Sequence, residues 1–177
     1  PSQEMQALRS LVTVQAKYPS RRTFERRLAK LPSSLPVQIA CLGAYLLNLL
    51  KPWARCGRAA AIDSTLLAAK GGVWHKKDRE AGITPHKSID TEAHWSKSGW
   101  HGWVYGWKLH LTVTVAAVWI PLAARLSPAN TADNDPAPKM ITELPHEAPY
   151  VLGDLHYHTD KVKVACDQDE RILVTPL

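Results

Sequence analysis

The sequence predicts an α/β protein, a mixed sheet flanked by helices and preceded by a small helical N-terminal region. Three observations lead there. Two short apolar runs, Ala59-Ala60-Ala61-Ile62 and Tyr150-Val151-Leu152, each end near an aspartate, Asp63 and Asp154, 91 residues apart. Between them, residues 103–116 alternate strictly: Trp107, Leu109, Leu111, Val113 and Val115 on one face; Lys108, His110, Thr112 and Thr114 on the other. The first fifty residues instead repeat their apolar positions with the period of a helix.

Each element follows from its residues. Met5, Leu8 and Val12 share one helical face, and Pro19-Ser20 interrupts the pattern, with Ser20 placed to cap a second helix. In that helix Phe24, Leu28 and Leu31 lie on one side, while Arg22, Arg26 and Lys30 line the other. A short helix, a Pro-Ser turn and a basic amphipathic helix resemble a helix-turn-helix, and Arg22, Arg26 and Lys30 are its expected DNA contacts. Ser34 and Pro36 open a third helix whose Ile39, Leu42, Leu46 and Leu49 predict burial, and Pro52 closes it. Residues 59–63 read as a buried strand with Asp63 at its carboxyl end. The segment 71–107 holds five tryptophans (74, 95, 100, 103, 107) and four histidines (75, 86, 94, 101) with no single period. It reads as a long loop with short pieces of order. Its aromatics either stack on unpaired bases or pin the loop to the core. A zinc site from these histidines with His156 and His158 is disfavoured, because no ligand pairs stand at finger-like spacing.

The strand over 103–116 is followed by a hairpin partner over 119–126. Ser127–Asp133 is turn chemistry; then come a helix near 135–145, the Asp154 strand, a helix near 159–168 and a last strand over 171–175. A right-handed crossover makes the Asp154 strand parallel to the Asp63 strand. Asp63 and Asp154 then meet on the rim where α/β sheets place ligands. Paired carboxylates in a chain that also carries a basic segment point to a divalent metal and phosphoryl transfer on nucleic acid. The order of elements is that of ribonuclease H-like folds.

Composition limits the alternatives. At 177 residues, 45% hydrophobic and 21% charged, the chain suits one globular domain with a small appendage. Three cysteines without C-x-x-C spacing indicate neither a disulfide framework nor a zinc ribbon. With no membrane-length apolar run and no signal-peptide pattern, a cytoplasmic protein is expected. The net charge of +6 is local: residues 1–60 hold ten Lys and Arg against two Glu, the rest twelve against fourteen Asp and Glu. Positive charge gathered in one third is the footprint of a phosphate-contacting segment. The chain begins on Pro and ends on Thr-Pro-Leu, which reads as a fragment.

Several blocks carry a family resemblance. Ile62-Asp63-Ser64-Thr65, Asp90-Thr91-Glu92-Ala93-His94-Trp95-Ser96, Trp103-Val104-Tyr105-Gly106-Trp107-Lys108-Leu109-His110-Leu111, Ser127-Pro128-Ala129-Asn130 with Asp133, and Gly153-Asp154-Leu155-His156-Tyr157 resemble successive blocks of bacterial insertion-sequence transposases of the DDE type. Residues 1–55 resemble the family's helical leader only loosely. The resemblance implies a basic, DNA-binding leader over 1–55 and a ribonuclease H-like catalytic domain over 56–177 lacking its C-terminal part. It implies DNA transposition with Mg²⁺ or Mn²⁺, held by Asp63 and Asp154 as catalytic and metal-binding residues. Double-stranded DNA (element ends and target) is the implied partner, with a homodimer in the DNA complex, and Lys108 meets a phosphate.

The departures matter equally. The family uses a third carboxylate, a glutamate on a helix beyond the fifth strand, and no residue here matches it. Glu170 precedes that strand and is a poor substitute, and His156 stands where small or basic residues are usual. Two other readings follow: a truncated, non-catalytic DNA-binding remnant of a transposase, or another ribonuclease H-like nuclease. The Tyr-Gly-Trp-Lys and Pro-Ala-Asn blocks argue against the last.

Overall fold

The structure is a computed structural model that describes residue 20 and residues 35–54, 58–83, 88–99 and 102–176. The expected helices over the first thirty residues, with Arg22, Arg26 and Lys30, lie outside the described residues. The chain divides into two compact units, Pro1–Leu42 and Gly43–Leu177.

Helix α1 spans Leu35–Leu50 and a 3₁₀ turn follows at Pro52–Ala54. The expected burial of Leu42, Leu46 and Leu49 is not what the structure has: Leu42 is 56% exposed and Leu49 60%, with Leu46 half-buried. Apolar composition raises the reward for burial, but burial itself depends on what packs nearby.

The sheet has six strands: β1 (Ala59–Ala68), β2 (His94–Ser98), β3 (Gly102–Val115), β4 (Pro121–Pro128), β5 (Tyr150–Leu152) and β6 (Ile172–Val174). Their order is β2-β3-β1-β5-β6, with β4 also paired to β3. The β1–β3, β2–β3 and β3–β4 pairs are antiparallel, whereas β1–β5 and β5–β6 are parallel. Helices α2 (Lys76–Glu80), α3 (Ala137–Thr142) and α4 (Asp160–Gln168) complete the element order. A mixed, curled sheet with flanking helices in this order is a ribonuclease H-like arrangement.

Strand β1 differs from expectation in its extent. Strand β1 does not stop at Asp63 but continues to Ala68, because β3 pairs with it as far as Ala68↔Gly106. The short pieces of order within the segment 71–107 are helix α2, strand β2 and the start of β3. Its described indoles pin it down. Trp95 Nε1 donates to the Trp74 carbonyl at 3.3 Å and Trp107 Nε1 to Asp90 Oδ2 at 2.8 Å. The Arg79 guanidinium lies 4.8 Å from the centre of the Trp74 ring. Trp103, 68% exposed, is the exception.

The faces of β3 are resolved by packing. The polar set is the inner one: His110, Thr112 and Thr114 are fully buried, beside Ala60 and Ile62 of β1 and under α3 and α4. Met140 and Ile141 of α3 and Val162 and Cys166 of α4 close this core. In α4 the buried Val162, Ala165 and Cys166 follow the i, i+3, i+4 spacing of one helical face. Buried hydroxyls are tolerable because they are satisfied. Where the β3–β4 register shifts after Thr112, Thr112 Oγ1 accepts from the Ala123 amide at 2.9 Å. Thr114 Oγ1 accepts from the Ile120 amide at 2.9 Å and donates to the Val118 carbonyl at 2.7 Å. The threonines thus replace ladder partners that the irregular strand no longer offers.

Gly106 shows how tightly β1 and β3 approach. A Cβ there would collide with the Leu67 carbonyl oxygen and stand 2.7 Å from the Ala69 nitrogen, so only glycine fits the Tyr-Gly-Trp-Lys block at that point.

Candidate active site

Strands β1 and β5 pair at Ala59↔Tyr150, Ala60↔Val151 and Ala61↔Leu152. Every pair is offset by 91 residues, the separation of Asp63 and Asp154. Asp63 and Asp154 each lie two residues past the last pair. There β5 ends at Gly153, whose amide turns to Val174 O at 3.1 Å, while β1 runs on against β3 with Asp63 opposite Leu111. Both aspartates are exposed.

Each carboxylate is anchored through one oxygen by a nearby backbone amide. The Ser64 N–H donates to Asp63 Oδ1 at 2.7 Å. The His156 N–H donates to Asp154 Oδ1 at 2.9 Å, making Asp154 the cap of the 3₁₀ turn Leu155–Tyr157. The second oxygen of each makes no hydrogen bond among the described residues. Capping and ligation therefore do not compete here, since a carboxylate has two oxygens to give.

Behind Asp63 the inner face of the sheet holds a polar group at hydrogen-bond distances. The Ser64 hydroxyl donates to Asp133 Oδ1 at 2.6 Å. Lys108 Nζ lies 2.9 Å from the same oxygen and donates to the Thr131 carbonyl at 2.7 Å. Burial alone raises the Asp133 pKa; the Ser64 hydrogen bond and the Lys108 charge outweigh it and hold the carboxyl below its ordinary value. Lys108 is 12% exposed, so this ammonium is an internal partner of Asp133 rather than a solvated charge. His110, next along β3, sits 2.8 Å from Ser127 Oγ through Nε2, and burial lowers its pKa. A cleft of about 270 Å³ opens beside this group, lined by Ser64, Thr65, Ser96, Lys97, Lys108 and Asp133.

Tyr157 completes the constellation from the Asp154 side. Its ring is 1% exposed, and its hydroxyl has no hydrogen-bond partner among the described residues. Burial, followed by the charges of Asp133, Asp63 and Asp154, drives its pKa up, so the phenol stays protonated. The Ser64 hydroxyl is near enough to temper that rise, but it gives its own proton to Asp133.

Asp63 and Asp154 thus follow the same end of the β1–β5 ladder, and Lys108 stands opposite Leu66 of β1 with Asp133 as its partner. Among the described residues no group of three or more His, Cys, Asp and Glu side chains is gathered to hold a metal. Glu170 lies at the opposite edge. It precedes β6, which runs parallel to β5, whereas Asp154 follows β5; six residues of extended chain separate the two levels, roughly 20 Å. Glu170 instead takes φ 54° at the end of α4, where the Arg171 amide closes on Cys166 O at 2.8 Å in a left-handed helix stop.

Ser64, Asp133 and Tyr157 carry no signal in the sequence beyond their places in motifs, and Asn134 has no such place. The available signal was the density of Asp and Asn in residues 130–135, which reads as turn chemistry and says nothing of what the side chains reach.

No match was found among curated proteins or among solved structures. A family model described as "Transposase DDE domain" matches residues 54–177, well over half of the sequence. Taken with the ribonuclease H-like sheet and the paired aspartates at its β1–β5 junction, that match means the chain belongs to the DDE transposase domain family.

Proposed function

We propose that this chain serves DNA transposition as a DNA-binding transposase segment that retains a two-carboxylate site but does not cleave DNA by itself. The observation that supports this reading is that Asp63 and Asp154 each lie two residues past the last pair of two adjacent parallel strands, with one oxygen of each anchored by a backbone amide. Oxygen donors of this kind suit Mg²⁺ or Mn²⁺, which binds through one or two carboxylates and fills its remaining positions with water and phosphate oxygens. When bound, such an ion supplies charge neutralisation at a phosphate and lowers the pKa of a bound water. Asp63 and Asp154 would hold it. Lys108 would balance charge along the cleft beside them and reach a phosphate only by leaving Asp133.

What limits the site is ligand count. Two carboxylates favour one ion held weakly, and a second ion would need a further acid, which Glu170 is too distant to provide. Double-stranded DNA is the proposed partner, met first by the basic face of Arg22, Arg26 and Lys30. A cytoplasmic, nucleoid-associated location goes with that partner.

The test uses the purified 177-residue chain. Mn²⁺ binding followed by electron paramagnetic resonance should show one weak site, with Asp63→Asn and Asp154→Asn each weakening it at least tenfold. Incubation with DNA bearing the element's ends and Mg²⁺ or Mn²⁺ should give no cleavage. Cleavage that disappears in Asp63→Asn would favour a working transposase whose third carboxylate comes from a second subunit. Unchanged Mn²⁺ binding in both variants would remove the site.

A further inference from the structure

The turn after β4 touches both aspartate-bearing segments, and it does so with two consecutive residues. Asp133 accepts the Ser64 hydroxyl at 2.6 Å, and the Ser64 amide is the group that anchors Asp63 Oδ1. Asn134 Nδ2 donates to the His156 carbonyl at 3.1 Å, and the His156 amide is the group that anchors Asp154 Oδ1. The two halves are alike in plan: one side chain of the turn, one intermediate residue, one backbone amide, one carboxylate. The turn is itself secured. The Thr131 carbonyl accepts from Lys108 Nζ at 2.7 Å, the Ala129 amide donates to Gly106 O at 3.1 Å, and Asp135 pairs with Lys161 of α4.

We infer that Asp133 and Asn134 are positioning residues forming a clamp that fixes Asp63 and Asp154 relative to each other. The need for one is physical. The β1–β5 ladder ends at Ala61 and Leu152, so beyond it no backbone hydrogen bonds hold the two chains in register. Two carboxylates that must share an ion tolerate little relative movement, and groups behind the ligands set their orientation. Asp133 and Asn134 cross-brace the two segments where the ladder no longer does. Lys108 neutralises Asp133, so the brace adds no net negative charge next to the aspartates.

The inference rests on the site proposed above, and its test separates the two. Amide hydrogen exchange is measured on the metal-free chain, and Mn²⁺ affinity on the same samples. Asp133→Asn and Asn134→Ala should speed exchange about tenfold, the first at Ser64 and the second at His156, while Val151 of β5 and Cys166 of α4 keep their protection. Each variant should weaken Mn²⁺ binding by about 10- to 100-fold, the effect typical of removing a group that orients a ligand. Ser64→Ala should act as Asp133→Asn does, and Ser64→Thr, which keeps the hydroxyl, should restore both readouts. That rescue separates positioning from general loss of stability. Exchange unmoved at both amides, or Mn²⁺ affinity within twofold of the parent in both variants, overturns the clamp. If the parent chain itself takes up no Mn²⁺, the metal site falls and amide exchange alone decides the clamp.

Discussion

Asp133 is ionised against the pull of its own partial burial, because the Ser64 hydroxyl and the Lys108 ammonium both converge on its Oδ1. Its pKa is lower in the folded chain than in the unfolded one. Its contribution is therefore present above the ordinary carboxylate range near pH 4 and is lost as pH falls through the folded value. Asp135, held low by Lys161, acts in the same direction. Asp133→Asn should cost about 2 kcal/mol at pH 7, the scale of a hydrogen bond to a charged group. The gap between parent and variant should be narrower at pH 3 than at pH 7, because below the ordinary carboxylate value the unfolded parent gains a proton that the folded carboxylate resists. Urea midpoints measured at the two pH values check this, and a gap that stays constant would show that ionisation is not what stabilises.

Among the elements, the short β6 depends on one side chain. Arg171, 5% exposed, donates through Nη1 to the carbonyls of Pro145 at 3.1 Å and Ala148 at 2.5 Å, and through Nη2 to Leu144 at 2.7 Å. Its Nε pairs with Asp169 at 3.1 Å. One planar fork thus satisfies three carbonyls of the α3–β5 connection and holds it against the start of β6. Arg171→Met should destabilise the fold by about 3 kcal/mol, because it leaves those carbonyls without a donor. Arg171→Lys should recover little, since an ammonium cannot reproduce the fork. Thermal or urea denaturation measures both, and a lysine variant as stable as the parent would contradict the account. The buried thiol of Cys166 close by is pushed up to about 11 by burial, then by Asp167, so it is a packing group and not a reactive one.

Over the whole molecule, charge and function are divided along the chain. Positive charge gathers in the first sixty residues, while the paired carboxylates lie after it. If the N-terminal basic face meets the DNA backbone, replacing Arg22, Arg26 and Lys30 with glutamine should weaken binding equally for all sequences. The slope of log affinity against log salt should flatten by roughly 0.9 for each phosphate that the variant no longer neutralises. Filter binding or fluorescence anisotropy across a salt series measures this. An unchanged slope would make that face a solvated surface only. Among the described residues no helix is long and apolar enough to cross a membrane. Exposed apolar residues include Ile172 at 56% and Val174 at 45%.

Much of the fold is legible in the sequence because it is local. Strict alternation places β3 within one residue of its observed start and end, and helical spacing with polar ends does the same for α4. Apolar runs leading to Asp63 and Asp154 predict two parallel strands, since a short crossover helix leaves few other connections. Alternation states which residues share a face, but not which face turns inward. That choice fell to packing against α3 and α4, with hydroxyls satisfied by an irregular β4, so Thr112 and Thr114 went in. β2 is invisible in the sequence because a five-residue strand with mixed polarity exists only through its pairing to β3. The hydrogen bonds behind the site are hidden for the same reason. Ser64 and Asp133 are 69 residues apart, and Asn134 and His156 are 22 apart. Chemistry carried by residue type and local spacing can be read along a chain; contacts between residues distant in sequence arise only once the chain has closed on itself.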